Sequence, residues 1–334
     1  MASVDRPVRL IVVGCGDIAR QEHLPAIARS TGTELAGVVD PDDGATAGPA
    51  ARFGVPSARG VAEAMAWRPD AAIVATPPEI TAHLTLELVD RGLHVLCEKP
   101  MAVDVESAQA VHERAAVSDR IVQVGFVNRF SPVIARVREW VRGGLLGGPL
   151  VFALTTYDER YDPGDQAHFR RIMHFLEHGP AFVHEAAHQT DYVFHLGGGS
   201  VTGVSALSTA TRPEFPAENH TAALVRYDNG NAARLEVGWM LPVLPPSDFR
   251  ILGPLGAVRV SRKEGWAELT TADLQDRVEL DRPWTEAAFD GQLAAFVSAV
   301  RAGEPRGPGT ADGLASLRLC QEIVSASRSV MERS

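Results

Sequence analysis

The sequence predicts an α/β protein of two domains: an N-terminal doubly wound parallel sheet, followed by an α+β domain with a large, mostly antiparallel sheet. Three observations predict it. From residue 8 to about 126, short β-rich apolar runs alternate with amphipathic stretches of helical length, the pattern of parallel βαβ units. Beyond Pro149 the runs take on alternating character, with strong turn signals between them. The chain has 334 residues, enough for two hydrophobic cores at roughly 150 residues per domain.

In order, the strands expected in the first domain are 9–13, 34–40, 71–76, 94–97 and 121–125. Most are near-continuous apolar runs, as befits strands covered by helices on both faces. Between Thr81 and Asp90, Leu84, Leu86, Leu88 and Val89 mark a buried helix, which Gly92 is placed to end. A helical stretch over 132–142 leads to a glycine-rich break, Gly143, Gly144, Gly147, Gly148 and Pro149. Strands then follow at 151–157, 222–227 and 233–239, with Asp228-Asn229-Gly230-Asn231 as a hairpin turn between the last two. Segments 249–252 and 257–261 flank Gly253-Pro254-Leu255-Gly256, and 266–270 and 277–280 extend the same sheet. A helix near 182–196 and two C-terminal helices are expected to cover it. The first of these helices aligns Phe289, Leu293, Phe296, Val297 and Val300 on one stripe. The division between domains is expected near Phe126, giving 1–126 and 127–334.

Composition narrows the function. Hydrophobic residues make up 45% and charged residues 22%, a globular balance. Lys and Arg number 32 against 42 Asp and Glu, a net charge of −10, which disfavours nucleic acid and anionic lipid as partners. Cys15, Cys97 and Cys320 form no CxxC pair, so no disulfide framework or cysteine zinc site is expected, and a reducing cytoplasm fits best. The segment Met1 to Arg9 is too short and polar for a signal peptide, and no apolar run approaches the roughly 18 residues of a membrane span.

Gly14-Cys15-Gly16-Asp17-Ile18-Ala19 fits G-x-G-x-x-G/A, directly after an apolar strand and before a helix. Gly14 permits the tight turn, Gly16 lets backbone approach a pyrophosphate, and Ala19 lets helix and strand pack closely. The exposed N–H groups around Asp17 and Ile18 suit phosphate charge. Asp40, closing the second strand, can accept from ribose hydroxyls and repel a 2′-phosphate, so NAD is expected over NADP. Thr76-Pro77-Pro78 and Glu98-Lys99-Pro100 follow later strands, at the strand ends where such sheets bind ligands. Lys99, held extended by the following proline, is a candidate acid or base.

Together with Asn128-Arg129-Phe130 and the segment containing His188 and Asp191, these motifs resemble the Gfo/Idh/MocA (glucose–fructose oxidoreductase/inositol dehydrogenase) family over nearly the whole chain. The resemblance implies an N-terminal Rossmann domain that binds NAD or NADP through the loop, Asp40, Thr76, Pro77, Glu98 and Lys99. It also implies a C-terminal domain for substrate binding and oligomerisation, as a homodimer or homotetramer. Hydride would pass between nicotinamide and a secondary hydroxyl or keto carbon of a sugar, inositol or related polyol, with Lys99 catalytic and His188 taking the hydroxyl proton. His184 stands where inositol-dehydrogenase-like members carry Asp, a departure from the family pattern. His184, Asn128, Arg129, Tyr157 and Asp191 are the candidate substrate contacts.

Six of the 11 histidines fall between His168 and His195, where an even spread would place about one. The cluster reads as a polar pocket for hydroxyls; a divalent metal on His184 and His188 is the lesser reading, and no metal is assigned. Two further functions stay open: a redox-cycling lyase or glycosidase that returns its NAD unchanged, and a non-catalytic dinucleotide-binding sensor.

Overall fold

The computed structural model describes residues 6–331. Packing divides them into two compact units. One ends at Phe130 and is completed by Thr285–Leu314; the other comprises Ser131–Trp284 and the chain from Ala315 onward.

The first unit is built on six parallel strands, β1 (Val8–Val13), β2 (Thr33–Val39), β3 (Ser57–Ala58), β4 (Ala71–Val74), β5 (His94–Cys97) and β6 (Val122–Val124). Their order is β3-β2-β1-β4-β5-β6. The chain runs outward from β1 through β2 and then returns to β4 on its other side, so the order reverses between β1 and β4. Ligands of doubly wound sheets bind at such a reversal, outside the carboxyl ends of the strands. Leu10, Ile11, Val12, Ala71, Ala72 and Val74 are fully buried, which explains their unbroken apolar runs. The two-residue β3 was not expected, because Ser57-Ala58 carries no apolar pattern.

Helix Trp284–Ala302 corrects the expected cover of the antiparallel sheet: from Thr285 it packs with the first unit. Phe289 stands edge-on to His23 with ring centroids 5.0 Å apart, and Asp290 accepts from the Arg29 guanidinium at 2.7 Å. The apolar stripe was legible, but a stripe specifies burial without naming the surface that buries it.

The second unit carries an eight-stranded sheet: β7 (Val151–Asp158), β8 (Val201–Thr209), β9 (His220–Tyr227), β10 (Ala232–Trp239), β11 (Asp248–Gly253), β12 (Gly256–Ser261), β13 (Trp266–Thr271) and β14 (Gln275–Glu279). The order is β14-β13-β12-β11-β7-β10-β9-β8. Every pairing is antiparallel except β7 with β10. β8 was missed because most of its residues are exposed or half-buried and it shows no alternation.

Phe152, Leu154, Phe249, Ile251, Val258 and Val260 are buried on one face of this sheet. Helices Pro132–Arg142, Ala181–Glu185 and Ala187–Leu196 pack within the same unit. Trp140 is fully buried at the first of them, and its indole N–H donates to Asp276 at 2.9 Å, fastening that helix to β14. Among the described residues no helix is long and apolar enough to cross a membrane.

Candidate active site

The loop after β1 is shaped by what surrounds each glycine. Gly14 has φ +90°, and a Cβ there would come within 2.4 Å of the Ala75 carbonyl oxygen, so no other residue fits the turn. At Gly16 a Cβ would meet nothing within 4 Å: the backbone faces open space, as an approaching pyrophosphate requires. Helical backbone begins at Asp17, passes through a π-turn over Ala19–His23 and ends at Arg29. Ala19 is fully buried against the sheet while Asp17 and Ile18 are exposed, the division of labour expected of a phosphate-binding helix start. This loop fits a dinucleotide.

Asp40 has a task that sequence reasoning missed. One carboxylate oxygen accepts the Cys15 N–H at 2.9 Å and the other accepts the Asp42 N–H at 3.0 Å, so Asp40 holds the glycine loop against the end of β2. Carboxylate oxygens have further lone pairs for ribose hydroxyls. Arg59, a cation near this strand end, is paired with Asp43 at 2.6 Å. Burial, then the neighbouring Asp40 charge, pushes the Cys15 thiol up to about 11, and burial pushes Cys97 to about 12. Neither thiol is a nucleophile at neutral pH.

Thr76 and Pro77 precede helix Pro78–Asp90, and the buried Thr81 hydroxyl donates back to the carbonyls of Thr76 and Pro77 at 3.2 and 3.0 Å. Lys99 lies half-buried just past β5. Its own N–H donates to the Glu98 carboxylate at 3.2 Å, and the other Glu98 oxygen lies 2.8 Å from His23 Nε2. Asn128 is buried in the turn Val127–Phe130. The Arg129 guanidinium donates to Asp312 at 2.7 Å, so Arg129 has a partner within the fold.

In the second unit, His188 lines a cavity of about 880 Å³, together with Tyr157, Gln189 and Tyr192. Gln189 fixes this wall: its amide donates to the Thr156 hydroxyl and the Glu236 carbonyl, both at 2.9 Å. Tyr157 donates its hydroxyl to Glu236 at 2.6 Å; burial and this bond raise the phenol to about 12. Asp191 is buried and does not line the cavity.

His184 has surroundings different from those of His188. The helix ends at Glu185 and restarts at Ala187 after a turn at Ala186, whose ψ is −7°. His184 is buried, stacks on Trp239 at 5.7 Å and donates from Nε2 to the Phe175 carbonyl at 2.9 Å. It holds the helix to β10 and does not line the cavity.

Residues 8–126 match an oxidoreductase family with an NAD-binding Rossmann fold, GFO/IDH/MocA, and residues 134–259 match the C-terminal domain of the same family. The chain belongs to this family. The family's NAD-binding domain therefore coincides with the loop and strand ends described above. Among its relatives, inositol 2-dehydrogenase 4 of Saccharopolyspora erythraea is 26% identical over 97% of this chain and 95% of that protein. The rhizopine catabolism protein MocA of Rhizobium meliloti is 26% identical over 94% and 93%. Aldose-aldose oxidoreductase from Caulobacter crescentus shares the fold at TM-score 0.85 and 22% identity, covering 97% of this chain and 98% of that one.

Proposed function

We propose that this protein is an NAD-dependent dehydrogenase that transfers hydride between nicotinamide and a secondary hydroxyl or keto carbon of an inositol, a sugar or a sugar-like polyol. One observation carries the reading: the family's NAD-binding loop is intact, and the two side chains suited to acid/base work, Lys99 and His188, stand respectively at the end of β5 and on the wall of a cavity. NAD, which the glycine loop and Asp40 would hold, would supply a hydride acceptor for the carbinol carbon. His188 takes the hydroxyl proton at a ring nitrogen, and Lys99 donates a hydrogen bond to the oxygen on which negative charge develops. Tyr157 and Asn128 are proposed to contact hydroxyls, with Asp191 as an orienting carboxylate. The names of the relatives, inositol 2-dehydrogenases among them, support a polyol substrate.

NAD is favoured over NADP by Asp40, Asp42 and Asp43 and by the pairing of Arg59 with Asp43. Three buried free cysteines suit a reducing cytoplasm. Leu207 and Leu224, 64% and 60% exposed on the eight-stranded sheet, support burial of that face against a second copy of the chain.

The test is a panel of inositols, sugars and sugar acids incubated with the purified protein and NAD, read at the nicotinamide absorbance band. Lys99→Ala and His188→Ala are each expected to lower turnover by about 10²–10⁴-fold. Near-wild-type turnover by both variants would overturn the assignment, and product formed with no net NADH would favour the redox-cycling alternative.

A further inference from the structure

The cavity beside His188 carries a charge pattern that acid/base chemistry does not use. Leu154, Phe249 and Val260, from the buried face of the sheet, contribute its apolar lining. On the helix Ala187–Leu196 the Tyr192 side chain is only 3% exposed, yet its hydroxyl makes no hydrogen bond to the described residues. Gln189 is 1% exposed, and its side-chain oxygen is likewise unpartnered. Buried polar atoms are costly to leave unsatisfied, and these two belong to residues that line one cavity.

Four cations line the same cavity, and strand alternation sorts them. Arg250 and Arg259 are exposed neighbours of the buried Phe249 and Val260, so they project from the opposite face of the sheet. Arg262 and Lys263 lie instead on the turn that joins β12 to β13, both exposed at the cavity. Of the carboxylates there, Asp248 is paired with Arg250 at 2.8 Å and Glu264 receives the Trp266 indole N–H. Arg262 and Lys263 have no ion pair or hydrogen bond among the described residues. Burial raises the Tyr192 phenol well above its ordinary range; the charge of Arg262 acts against that rise and those of Asp191 and Glu185 add to it. Arg262 therefore lies within electrostatic reach of Tyr192, as do these two carboxylates, with Arg262 the stronger influence.

We propose that this cavity binds a polyhydroxy substrate bearing an anionic group, a carboxylate or a phosphate monoester, held by Arg262 and Lys263 while Tyr192 and Gln189 engage its hydroxyls. The guanidinium fork offers paired donors to either anion, and the ammonium adds a second positive charge. This rests on the reading of His188 as the residue that meets substrate, and adds to it the charge that the substrate carries.

Calorimetric titration of the full chain in saturating NAD tests it, with D-glucuronate and D-glucose 6-phosphate as anionic probes and D-glucose and myo-inositol as neutral ones. At least one anionic probe is expected to bind about tenfold more tightly than D-glucose. Which anion is preferred separates carboxylate from phosphate recognition. Combining Arg262→Ala with Lys263→Ala is expected to abolish the advantage without shifting the melting temperature, since both side chains are exposed; Arg262→Lys is expected to retain part of it. Equal affinity for charged and neutral probes, an advantage that survives loss of both cations, or no binding of either anion would overturn the proposal. Binding is read without turnover, so the two readings fail separately: tight anion binding without NADH formation counts against the acid/base roles alone. Turnover of neutral polyols with no anion preference counts against this inference alone.

Discussion

His23 Nε2 lies 2.8 Å from a carboxylate oxygen of Glu98, and the two side chains are only 3% and 12% exposed. The helix that follows the dinucleotide loop is thereby tied to the residue preceding Lys99, whose own N–H the second Glu98 oxygen accepts. Phe289 closes over the imidazole edge-on. Space around Glu98 is tight: a Cβ on Gly125 would lie 3.0 Å from its carboxylate.

His23→Ala leaves that carboxylate without its partner in a nearly closed site. The expected cost is about 1–3 kcal/mol of stability, measured by urea denaturation. Because the pair positions the backbone of Lys99, kcat is expected to fall more than the affinity for NAD, with His23→Gln restoring part of both stability and rate. A variant as stable and as active as the wild type would remove the pair from any positioning role.

The two loop glycines are expected to fail differently. Gly14→Ala must hold φ near +90° and meets the Ala75 carbonyl oxygen at 2.4 Å, so thermal unfolding should register a loss of at least about 1–3 kcal/mol. Gly16→Ala meets no protein atom within 4 Å and should keep its melting temperature. It should nevertheless lose about tenfold or more in NAD affinity, because the new methyl group stands where the pyrophosphate approaches.

Asp40 holds the loop, and its charge is proposed to select the cofactor. Asp40→Asn keeps one acceptor oxygen, enough for the Cys15 or the Asp42 N–H but not for both, and removes the charge. The ratio of kcat/KM for NAD to that for NADP is expected to fall by about tenfold, roughly 1.4 kcal/mol of discrimination. An unchanged ratio would show that cofactor choice is set elsewhere.

Glu236 accepts from Tyr157 and from His220, at 2.6 and 3.1 Å. Burial works to raise its pKa, but the two hydrogen bonds together with the charges of His220 and Arg234 outweigh it and hold the carboxyl below its ordinary 4.5. A depressed folded-state pKa contributes stability that is fully present above the unfolded value and is lost as pH falls through the folded one. Denaturation midpoints of the wild type are therefore expected to drop below about pH 4.5. Glu236→Gln, which does not titrate, should be less stable at neutral pH and lose less on acidification. Parallel acid profiles for the two proteins would contradict this.

Much of the fold was readable because it is locally encoded. The apolar runs of β1, β2, β4 and β5, the hairpin turn at 228–231 and the helix Pro132–Arg142 each state their conformation in neighbouring residues. The dinucleotide loop was readable for the same reason, being one contiguous turn whose glycines have distinct steric tasks. β3 and β8 were not, since their side chains carry no periodic burial. Lys99 and His188, the side chains proposed for acid/base work, came from motifs, whereas His23, Gln189, Tyr192 and Arg262 belong to none. Their significance is in what faces them across the fold.

The sequence by itself determined the chain's two kinds of sheet, its cofactor loop and the two side chains proposed for acid/base work, because periodicity and turn chemistry act over a few residues. Only the tertiary structure decided that Thr285–Leu314 packs with the first unit, that Arg129 is engaged by Asp312, and that His184 supports the fold from beneath Trp239. It also brought Tyr192, Gln189 and the turn carrying Arg262 and Lys263 to one cavity. The physical reason is the same in each case: a pattern of apolar and polar residues fixes which face of an element is buried, while the identity of the partner depends on long-range packing that no local pattern records.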